Sequence, residues 1–417
     1  MDCNVCKFNN LESEGEMDKI LIVLKNILNL QLYYVSKIIP KKKKRWVYGS
    51  WFGEKFTDNS KWLYLYMLNN NLNDIEIVWI TKNKKTIDEI EKLGGKVYLY
   101  NTINAIYYIL TADVVFMTQS YLDLSSMYLI GGAFKVQLWH GVPLKKIGYD
   151  TYIKCKSVLK KINRFIIKKL NYNDAYIACS QENINKVESA FCTESSKIIK
   201  SGQPRNDIFF DMNSELKNRF INNICDELSY NIKEKKIITY MPTFRDKSSY
   251  NFDFNELEEK DKIKLNKILN QNNAIIIQKK HFVNSKKKHN VNLMNCERNI
   301  INIKDVDTQE LLFCTDILIT DYSSCYFDFL NLDRPIIHYA YDYKNYKEKD
   351  RGLYYDLSEA AGGSISYEID ELLNVLEENL MNDIGRVARK KAREKFMSFE
   401  KGESCNNIIN YVINNVS

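Results

Sequence analysis

The sequence predicts an α/β protein built from two doubly wound, Rossmann-like domains. Its 417 residues exceed what one hydrophobic core usually serves, so two domains of ordinary size are expected. Two series of short β-branched or aromatic runs alternate with helix-like stretches, as in parallel sheets covered on both faces. The first series occupies residues 45–50, 75–81, 96–101, 112–120, 135–140, 174–180 and 196–202, and the second occupies 235–245, 274–281, 299–305, 316–324 and 334–342.

The expected domain division follows from these two series. The polar, helical stretch 208–234 is the expected join. Residues 369–396 predict two helices, and a C-terminal helix is expected to pack back across the junction. The expected parts are an amphipathic segment at 1–44, an N-terminal domain at 45–215, a C-terminal domain at 216–385 and a helical segment at 386–417.

The apolar stretch Ile20–Ile39 predicts an amphipathic helix. Except for Gln31, its polar residues share one arc of about 120° on a helical wheel, and the basic block Lys41–Arg45 follows it. This pattern favours a helix that lies in a membrane interface over one that crosses it, and packing on the domain is the alternative. The first sixteen residues are polar and acidic, so we expect no signal peptide and a peripheral location on the cytoplasmic face of the membrane.

A basic patch is predicted after the fifth run. Between Gly141 and Leu170 there are nine Lys or Arg residues and one acid, Asp150, within a chain of formal net charge +7. Such a cluster suits an anionic partner, here a membrane surface or an anionic acceptor rather than nucleic acid, although a solvated helix face would show the same pattern. The residues expected at this contact are Lys145, Lys146, Lys160, Lys161 and Arg164.

The sequence predicts neither a cofactor nor a bound metal. No glycine-rich dinucleotide or P-loop motif follows a strand, and the CxxC formed by Cys3 and Cys6 has no second Cys/His pair at zinc spacing. The ten cysteines are scattered, several of them inside apolar runs, which is typical of a reducing compartment.

Polar residues follow most of the predicted strands. In doubly wound sheets, ligands bind beyond the carboxyl ends of the strands. His140 ends the run KVQLWH. A histidine there is by itself more often structural, but the polar side chains after the neighbouring runs favour a functional role.

The second series of runs carries candidate phosphate contacts. The segment LITDYSSCYFDF predicts a strand, a turn and a helix, and its two serines could cradle phosphate oxygens or simply cap the helix. Arg and Lys suit phosphate contacts at the other strand ends. In SGQPRND, Asp207 is expected to cap the next helix and Arg205 to reach a ligand. The remaining candidates are Thr243, Arg245, Lys279, His281, Asp321, Ser323 and Ser324.

Together these motifs resemble one family, the CDP-glycerol glycerophosphotransferases of teichoic-acid and capsule synthesis. The resemblance covers roughly residues 45 to 360, and its motifs occur in the family's order. Three positions depart from the family pattern: Val142, Met241 and Phe282 stand where threonine, alanine and proline are common. The motifs that carry it are QLWHGVPLKKIG, SGQPRND, YMPTFR, ILITDYSSCYFDFLNLDRPIIHYAYD and RGLYYD.

The resemblance implies a GT-B-like fold with a cleft between the two domains and with CDP-glycerol held mainly by the C-terminal one. It implies transfer of glycerol phosphate to a hydroxyl of a lipid-linked anionic polymer or glycan, with release of CMP. His140 resembles the proposed base, and Asp321 is placed to orient its turn. His281, which the resemblance also makes a catalytic candidate, Arg245, Ser323 and Ser324 resemble contacts to the donor diphosphate.

Several alternatives stay open at this point. The donor could be CDP-ribitol, transfer could be single or repeated, and an oligomer is possible. A GT-B glycosyltransferase using a nucleotide sugar would share the fold but break a bond at a sugar carbon. A basic protein that only binds a membrane or a polymer would need no base at His140.

Overall fold

A computed structural model describes residues 16–70, 72, 74–151, 158–211, 213–243, 252–279, 299–343 and 352–416. The chain divides into two compact units. Within the described residues, the N-terminal domain comprises 16–140, 147–207 and 399–416, and the C-terminal domain comprises 141–146 and 208–398. This division follows Asp207, whereas the predicted division follows residue 215. The expected helical segment 386–417 is also shared between the two domains.

The N-terminal domain contains a seven-stranded, fully parallel sheet of order β3-β2-β1-β4-β5-β6-β7. Each predicted run of the first series contains one of these strands, which confirms the first doubly wound domain. The strands are β1 Arg45–Tyr48, β2 Glu76–Thr81, β3 Val97–Leu99, β4 Val114–Met117, β5 Phe134–Gln137, β6 Ala175–Ile177 and β7 Ile198–Ile199.

The C-terminal domain contains a six-stranded, fully parallel sheet of order β10-β9-β8-β11-β12-β13. Its first five strands coincide with the second predicted series. The edge strand β13 was missed because its three residues hold a single apolar side chain, Ile365, between two serines. The strands are β8 Lys236–Met241, β9 Ala274–Lys279, β10 Ile300–Ile303, β11 Ile317–Thr320, β12 Ile336–Tyr339 and β13 Ser364–Ser366.

Helices connect the parallel strands of both sheets. The N-terminal domain holds α1 Glu16–Ile38, α2 Asp58–Asn69, α3 Lys84–Lys92, α4 Ile103–Leu110, α5 Val158–Leu170, α6 Gln181–Phe191 and the last helix, α14 Ser404–Val416. The C-terminal domain holds α7 Ser214–Leu228, α8 Glu259–Gln271, α9 Thr308–Cys314, α10 Cys325–Phe329, α11 Leu357–Ala360, α12 Ile369–Met381 and α13 Arg386–Phe396. Helices α12 and α13 are the two predicted over residues 369–396.

The C-terminal helix α14 completes the N-terminal core. Its buried residues Cys405, Ile408 and Val412 belong to the same apolar cluster as β-strand residues such as Val136. The chain therefore returns to its first domain at its end, as the sequence predicts.

Helix α1 packs on the N-terminal domain through a face that carries Asn26, Asn29 and Ser36 together with the buried Val23 and Tyr33. Asn26 Nδ2 donates to Asn163 Oδ1 of α5 at 2.7 Å, and Asn29 Nδ2 donates to the Tyr121 hydroxyl at 3.1 Å. The Ser36 hydroxyl accepts a hydrogen bond from Gly131 N at 2.9 Å. Because each buried polar group finds a partner, burying this face is possible. In the described part of the chain, no helix combines the length and apolar character that crossing a membrane requires.

Each sheet reverses its strand order at one point, between β1 and β4 in the first sheet and between β8 and β11 in the second. Ligands of doubly wound folds bind beyond the carboxyl ends of the strands at such points. The loops after these four strands, and the one after β5, are therefore the places to search for a site.

Candidate functional site

His140 stands at the carboxyl edge of the first sheet, just beyond β5. The turn around it uses unusual backbone, because Trp139 has φ +52° and Gly141 has φ +143°. Gln137 holds the turn: its Oε1 accepts a hydrogen bond from Trp139 N at 3.0 Å, and its Nε2 donates to Gln119 O at 3.2 Å. A left-handed non-glycine residue is uncommon and is kept only where its surroundings over-determine it.

The hydrogen bond to the His140 ring fixes its tautomer. Nδ1 lies 3.1 Å from Thr118 O, and a carbonyl oxygen can only accept a hydrogen bond. Nδ1 therefore carries the proton, and Nε2 keeps its lone pair. Burial lowers the pKa of His140, Asp58 opposes this shift, and Arg205 adds to it. The ring is therefore neutral at pH 7, the state that a general base requires.

Asp123 organises the backbone that holds His140. Its buried carboxylate accepts hydrogen bonds from the backbone N–H groups of Phe52, Thr118 and Gln119 at 2.7, 2.8 and 2.8 Å. Burial raises the pKa of Asp123 to about 6, although these hydrogen bonds counter the shift. A Cβ at Gly49 would lie 2.5 Å from Asp123 O, so the close approach of these loops requires glycine there. Asp123 thus positions Thr118, whose carbonyl orients the imidazole.

A buried ion pair between Arg205 and Asp58 holds the backbone of His140. Arg205 Nη1 lies 2.6 Å from Asp58 Oδ1 and donates to the carbonyl oxygen of His140 at 3.1 Å. Asp58 Oδ2 accepts from Trp51 Nε1 at 3.1 Å, and Asn59 Nδ2 donates to Trp139 O at 3.1 Å. Sequence reasoning missed Asp58 and Asn59, because the segment TDNS signals only a helix start.

Two of the predicted substrate contacts have structural partners in the N-terminal domain. Arg205 was expected to reach a ligand, but its guanidinium is buried against Asp58 and the backbone. Asp207 was expected to cap the next helix and to contact substrate. It caps α14 instead, because its carboxylate accepts from Ser404 N at 2.9 Å and Cys405 N at 2.8 Å. Both residues therefore position the protein's own chain.

Asp321 joins the two strand ends at the reversal point of the second sheet. Its buried Oδ1 accepts from Thr243 N at 2.8 Å, from the Thr243 hydroxyl at 2.6 Å and from Tyr322 N at 2.6 Å. Thr243 follows β8 and Asp321 follows β11. Asp321 therefore acts as a positioning residue for the loop that also carries Ser323 and Ser324.

The two serines of this loop are half-buried. Ser324 is the N-cap residue of α10, but its hydroxyl makes no capping hydrogen bond. The alternative that the Ser324 side chain merely caps the helix therefore does not hold, while phosphate binding by Ser323 and Ser324 stays a prediction.

Lys279, at the end of β9, is tied to the protein's own backbone. Its ammonium donates to Lys304 O at 3.3 Å and to Val306 O. The predicted substrate contact of Lys279 thus competes with two backbone acceptors. Arg245 and His281 lie outside the described residues.

The predicted basic patch is divided between the two domains. Lys145 and Lys146 belong to the C-terminal domain. There Lys146 N donates to Gly352 O at 3.0 Å, and Lys145 forms an isolated antiparallel β-bridge with Leu353. Lys161 is exposed on α5 in the N-terminal domain. Lys160 and Arg164 lie on the same helix, and their side chains are outside the described part of the structure.

His338 is a structural histidine beneath the Asp321 loop. Its Nδ1 donates to Asp321 O at 3.0 Å, and its Nε2 accepts from Gly362 N at 3.2 Å. Burial lowers the pKa of His338 to about 4. The neutral ring is therefore part of the folded state.

Acid should weaken the fold through His338. The pKa of His338 is about 4 in the folded state and about 6.5 in the unfolded state. The neutral ring therefore contributes to the free energy of unfolding above pH 6.5, and this contribution is lost as pH falls toward 4. Between about pH 6.5 and 5 the loss is about 2 kcal/mol of unfolding free energy. Chemical denaturation at several pH values measures it. His338→Asn, which keeps a donor for Asp321 O, should show a flatter pH dependence; equal slopes would contradict this assignment.

The two sheets, each reversing its order once and carrying polar loops at that edge, define a GT-B-like protein of two parallel α/β domains. Residues 31–414 match the model of the family described as CDP-glycerol:poly(glycerophosphate) glycerophosphotransferase. The chain belongs to this family and is an enzyme of the glycerophosphotransferase class.

Individual relatives agree with this assignment. The chain is 29% identical over 405 residues to the teichoic acid poly(glycerol phosphate) polymerase of Bacillus spizizenii, covering 94% of this chain and 98% of that protein. It is 27% identical over 416 residues to the teichoic acid glycerol-phosphate transferase of Staphylococcus aureus, covering 92% and 97%. The solved wall teichoic acid polymerase TagF shares the fold, with a TM-score of 0.74, 24% identity and coverage of 96% and 97%.

Proposed function

We propose that this enzyme transfers glycerol phosphate from CDP-glycerol to a hydroxyl of a lipid-linked, teichoic-acid-type acceptor, with His140 as the base. The acceptor oxygen attacks the phosphorus bonded to glycerol. The bond from that phosphorus to the bridging oxygen breaks, and CMP leaves with the electron pair. The hydroxyl proton moves to Nε2 of His140, and the product is a phosphodiester.

The observation that carries this proposal is the state of the His140 ring. The bond from Nδ1 to Thr118 O leaves Nε2 as the acceptor, and the lowered pKa keeps the ring neutral at pH 7. A positioned base of this kind contributes about 10² to 10⁴ in rate. The buried Asp58–Arg205 pair and Asp123 hold the ring without contacting the reacting atoms.

The donor is assigned to the C-terminal domain. The Asp321 loop presents Ser323 and Ser324 beside Thr243 at the strand-order reversal, where anionic ligands of such folds bind. His281 and Arg245 are proposed as diphosphate contacts from the family resemblance alone. Phosphoryl transfer depends mainly on alignment and on neutralising oxygen charge, which suits these residue types.

The polyol and the number of transfers are tested together. The matched relatives also include a teichoic acid poly(ribitol-phosphate) polymerase of Bacillus spizizenii, 26% identical over 380 residues. Incubation with CDP-glycerol and CDP-ribitol in parallel, followed by product-length analysis, separates the two donors. We expect elongation from CDP-glycerol; products from CDP-ribitol alone would overturn this choice of donor.

Helix α1 supports association with a lipid surface on the cytoplasmic side. The face of the helix that carries Leu21, Leu24 and Leu28 is exposed, because these side chains are 58%, 55% and 55% exposed. Exposed Lys25 and Lys37 lie on the same helix. An apolar helix face with lysines beside it suits the boundary between acyl chains and anionic head groups.

The basic block after α1 is smaller than the sequence indicated. Arg45 is buried and pairs with Glu76 at 2.8 Å, and Lys41 donates to Ser36 O at 2.9 Å. Lys42 and Lys44 are exposed but pair with Glu76 and Asp74 at 3.1 and 3.3 Å. The apolar face therefore carries most of the proposed membrane affinity.

Replacing Leu24 and Leu28 together with glutamate should release the protein from membranes. Burial of a leucine side chain contributes about 1.5–3 kcal/mol, so we expect the partition coefficient onto phosphatidylglycerol vesicles to fall at least about tenfold. Vesicle co-sedimentation measures it. Ile263→Glu, which alters a 63% exposed isoleucine of α8, is the matched control.

Unchanged binding of the double variant would contradict the membrane role of α1. Sedimentation velocity distinguishes lipid binding by α1 from dimerisation through the same face. If the wild type forms dimers that the double variant lacks, while vesicle binding is equal, a second copy of the chain covers this face instead of lipid.

A further inference from the structure

A cavity of about 240 Å³ lies in the N-terminal domain. It is bounded by the ends of α5 and α6 and by the turns that follow them. Its lining includes four aromatic residues, Tyr149, Tyr172, Tyr176 and Phe191, and the polar residues Lys168, Asn171, Glu194 and Lys197. Neither the base nor the Asp321 loop contributes to this lining.

Aromatic rings form one side of the cavity. The Tyr176 and Phe191 rings lie 5.2 Å apart with an interplanar angle of 31°. The Tyr172 ring is fixed by Lys197, whose ammonium donates to the Tyr172 hydroxyl at 2.7 Å and lies 4.4 Å from the ring centroid. A set of held aromatic faces suits a flat, partly apolar ligand with little ordering cost.

The polar groups of the cavity include both hydrogen-bond donors and acceptors. Lys168 and Lys197 supply donors, although the Lys197 ammonium already donates to the Tyr172 hydroxyl. The Asn171 amide supplies both kinds, and the Glu194 carboxylate only accepts. A phosphate group would need donors alone, and Glu194 would repel it. Hydroxyl groups both donate and accept, so this combination favours a polyhydroxylated ligand.

The size of the cavity limits the ligand to about one ring. Drug-sized ligands occupy about 300–1,000 Å³, and this cavity of about 240 Å³ is smaller. A sugar ring fits both the volume and the lining, because its C–H face stacks on aromatic rings while its hydroxyls reach the polar groups.

The aromatic side of the cavity continues toward His140 within the same domain. Phe191 contacts the Trp139 ring at 4.9 Å between centroids, and Trp139 contacts the His140 ring at 4.1 Å. We infer that this cavity is a subsite for one sugar ring of the acceptor. The assignment of that sugar to the acceptor rests on the proposed function, whereas the binding of a sugar does not.

Binding is tested without CDP-glycerol, so that the result does not depend on transfer. Saturation-transfer NMR with N-acetylglucosamine should give signals from the ring protons in the full-length wild type. Tyr172→Ala should raise the dissociation constant about tenfold, the effect of losing one aromatic anchor. Tyr172→Phe keeps the ring and should bind nearly as the wild type. Tyr367→Ala is the control, because Tyr367 of the C-terminal domain is 44% exposed and Tyr172 is 45% exposed.

Equal sugar binding in wild type and Tyr172→Ala would overturn the inference. Binding of glycerol 3-phosphate that Tyr172→Ala abolishes, with no sugar signal in the wild type, would overturn it in favour of a phosphate site. Loss of binding in Tyr172→Phe as well would contradict stacking on the ring.

Cys192 provides a second measurement that needs no variant. This cysteine is exposed and lines the cavity. Saturating N-acetylglucosamine should slow its alkylation by iodoacetamide severalfold, measured on the Cys192 peptide by mass spectrometry. An unchanged alkylation rate at a sugar concentration that saturates the NMR signal would place the sugar elsewhere and overturn the inference.

Activity then shows whether the bound sugar belongs to the acceptor. Tyr172→Ala should raise KM for a sugar-containing lipid-linked acceptor about tenfold, with kcat and KM for CDP-glycerol unchanged. An unchanged acceptor KM would contradict the subsite. Absence of CMP release from every variant, with sugar binding intact, would instead count against the proposed function.

Discussion

Replacing His140 with alanine should lower kcat by at least about two orders of magnitude. The expectation follows from the proposed transfer of the acceptor's proton to Nε2, because an alanine side chain cannot accept a proton. The side chain makes one hydrogen bond, to Thr118 O, and is half-buried. The variant should therefore fold, which circular dichroism and a melting curve establish, and CMP release measures its rate.

The KM for CDP-glycerol is the control measurement for the His140→Ala variant. KM for CDP-glycerol should stay near the wild-type value, because CDP-glycerol is assigned to the C-terminal domain.

In the wild type, kcat/KM should fall as pH drops through the His140 pKa, which burial places below about 6.5. Retained turnover in His140→Ala, or an acidic limb centred above pH 7, would remove His140 from the role of base.

Replacing Arg205 with methionine should lower the free energy of unfolding by about 3–5 kcal/mol. Arg205 and Asp58 are 6% and 8% exposed, so the variant leaves a buried carboxylate without its guanidinium. Chemical denaturation measures the loss. The rate of transfer should fall as well, because the same guanidinium holds the carbonyl of His140.

A double variant separates a lost ion pair from lost packing. Asp58→Asn combined with Arg205→Met removes the uncompensated charge and should recover part of the stability. The matched control is Lys82→Met, which breaks the exposed pair with Glu54 at 2.9 Å and should cost less than about 1 kcal/mol. If Arg205→Met and Lys82→Met lowered the free energy of unfolding equally, the buried pair would contribute no more to stability than the exposed one.

The strands could be predicted because their cause is local. A strand covered on both faces needs a continuous apolar run, and runs such as IEIVWIT and AIIIQK are visible in the sequence. The edge strand β13 lacks such a run. The chain's return through α14 was expected, but the break after Asp207 could not be located, because it depends on contacts between distant segments.

The base could be predicted from its place at the end of β5, whereas its supports could not. Asp58 and Arg205 are 147 positions apart, and no spacing rule pairs them. In the sequence, Asp123 has the character of a turn residue. Only the structure shows that its carboxylate accepts hydrogen bonds from the backbone N–H groups of Phe52 and Thr118. Arg205 and Asp207, both predicted as substrate contacts, have structural partners that the sequence does not reveal, because a charged side chain after a strand is equally suited to a ligand and to the protein's own backbone.

Helix α1 shows a second limit of sequence patterns. The wheel correctly grouped Asn26, Asn29 and Ser36 on one face. It could not show that this face is buried, because the necessary partners, such as Asn163 and Tyr121, lie far along the chain. The polar arc therefore overlaps the buried face only in part, because its lysines Lys25 and Lys37 are exposed.

The reaction itself is tested most directly by ³¹P NMR of the full-length enzyme with CDP-glycerol and a lipid-linked glycerol phosphate acceptor. The account predicts that the diphosphate signals are replaced by one CMP monoester and one new phosphodiester for each transfer. Release of CDP, which keeps both phosphates together, would show that the bond to the glycerol carbon breaks, as in glycosyl transfer. That product, or no conversion of CDP-glycerol at all, would contradict the account.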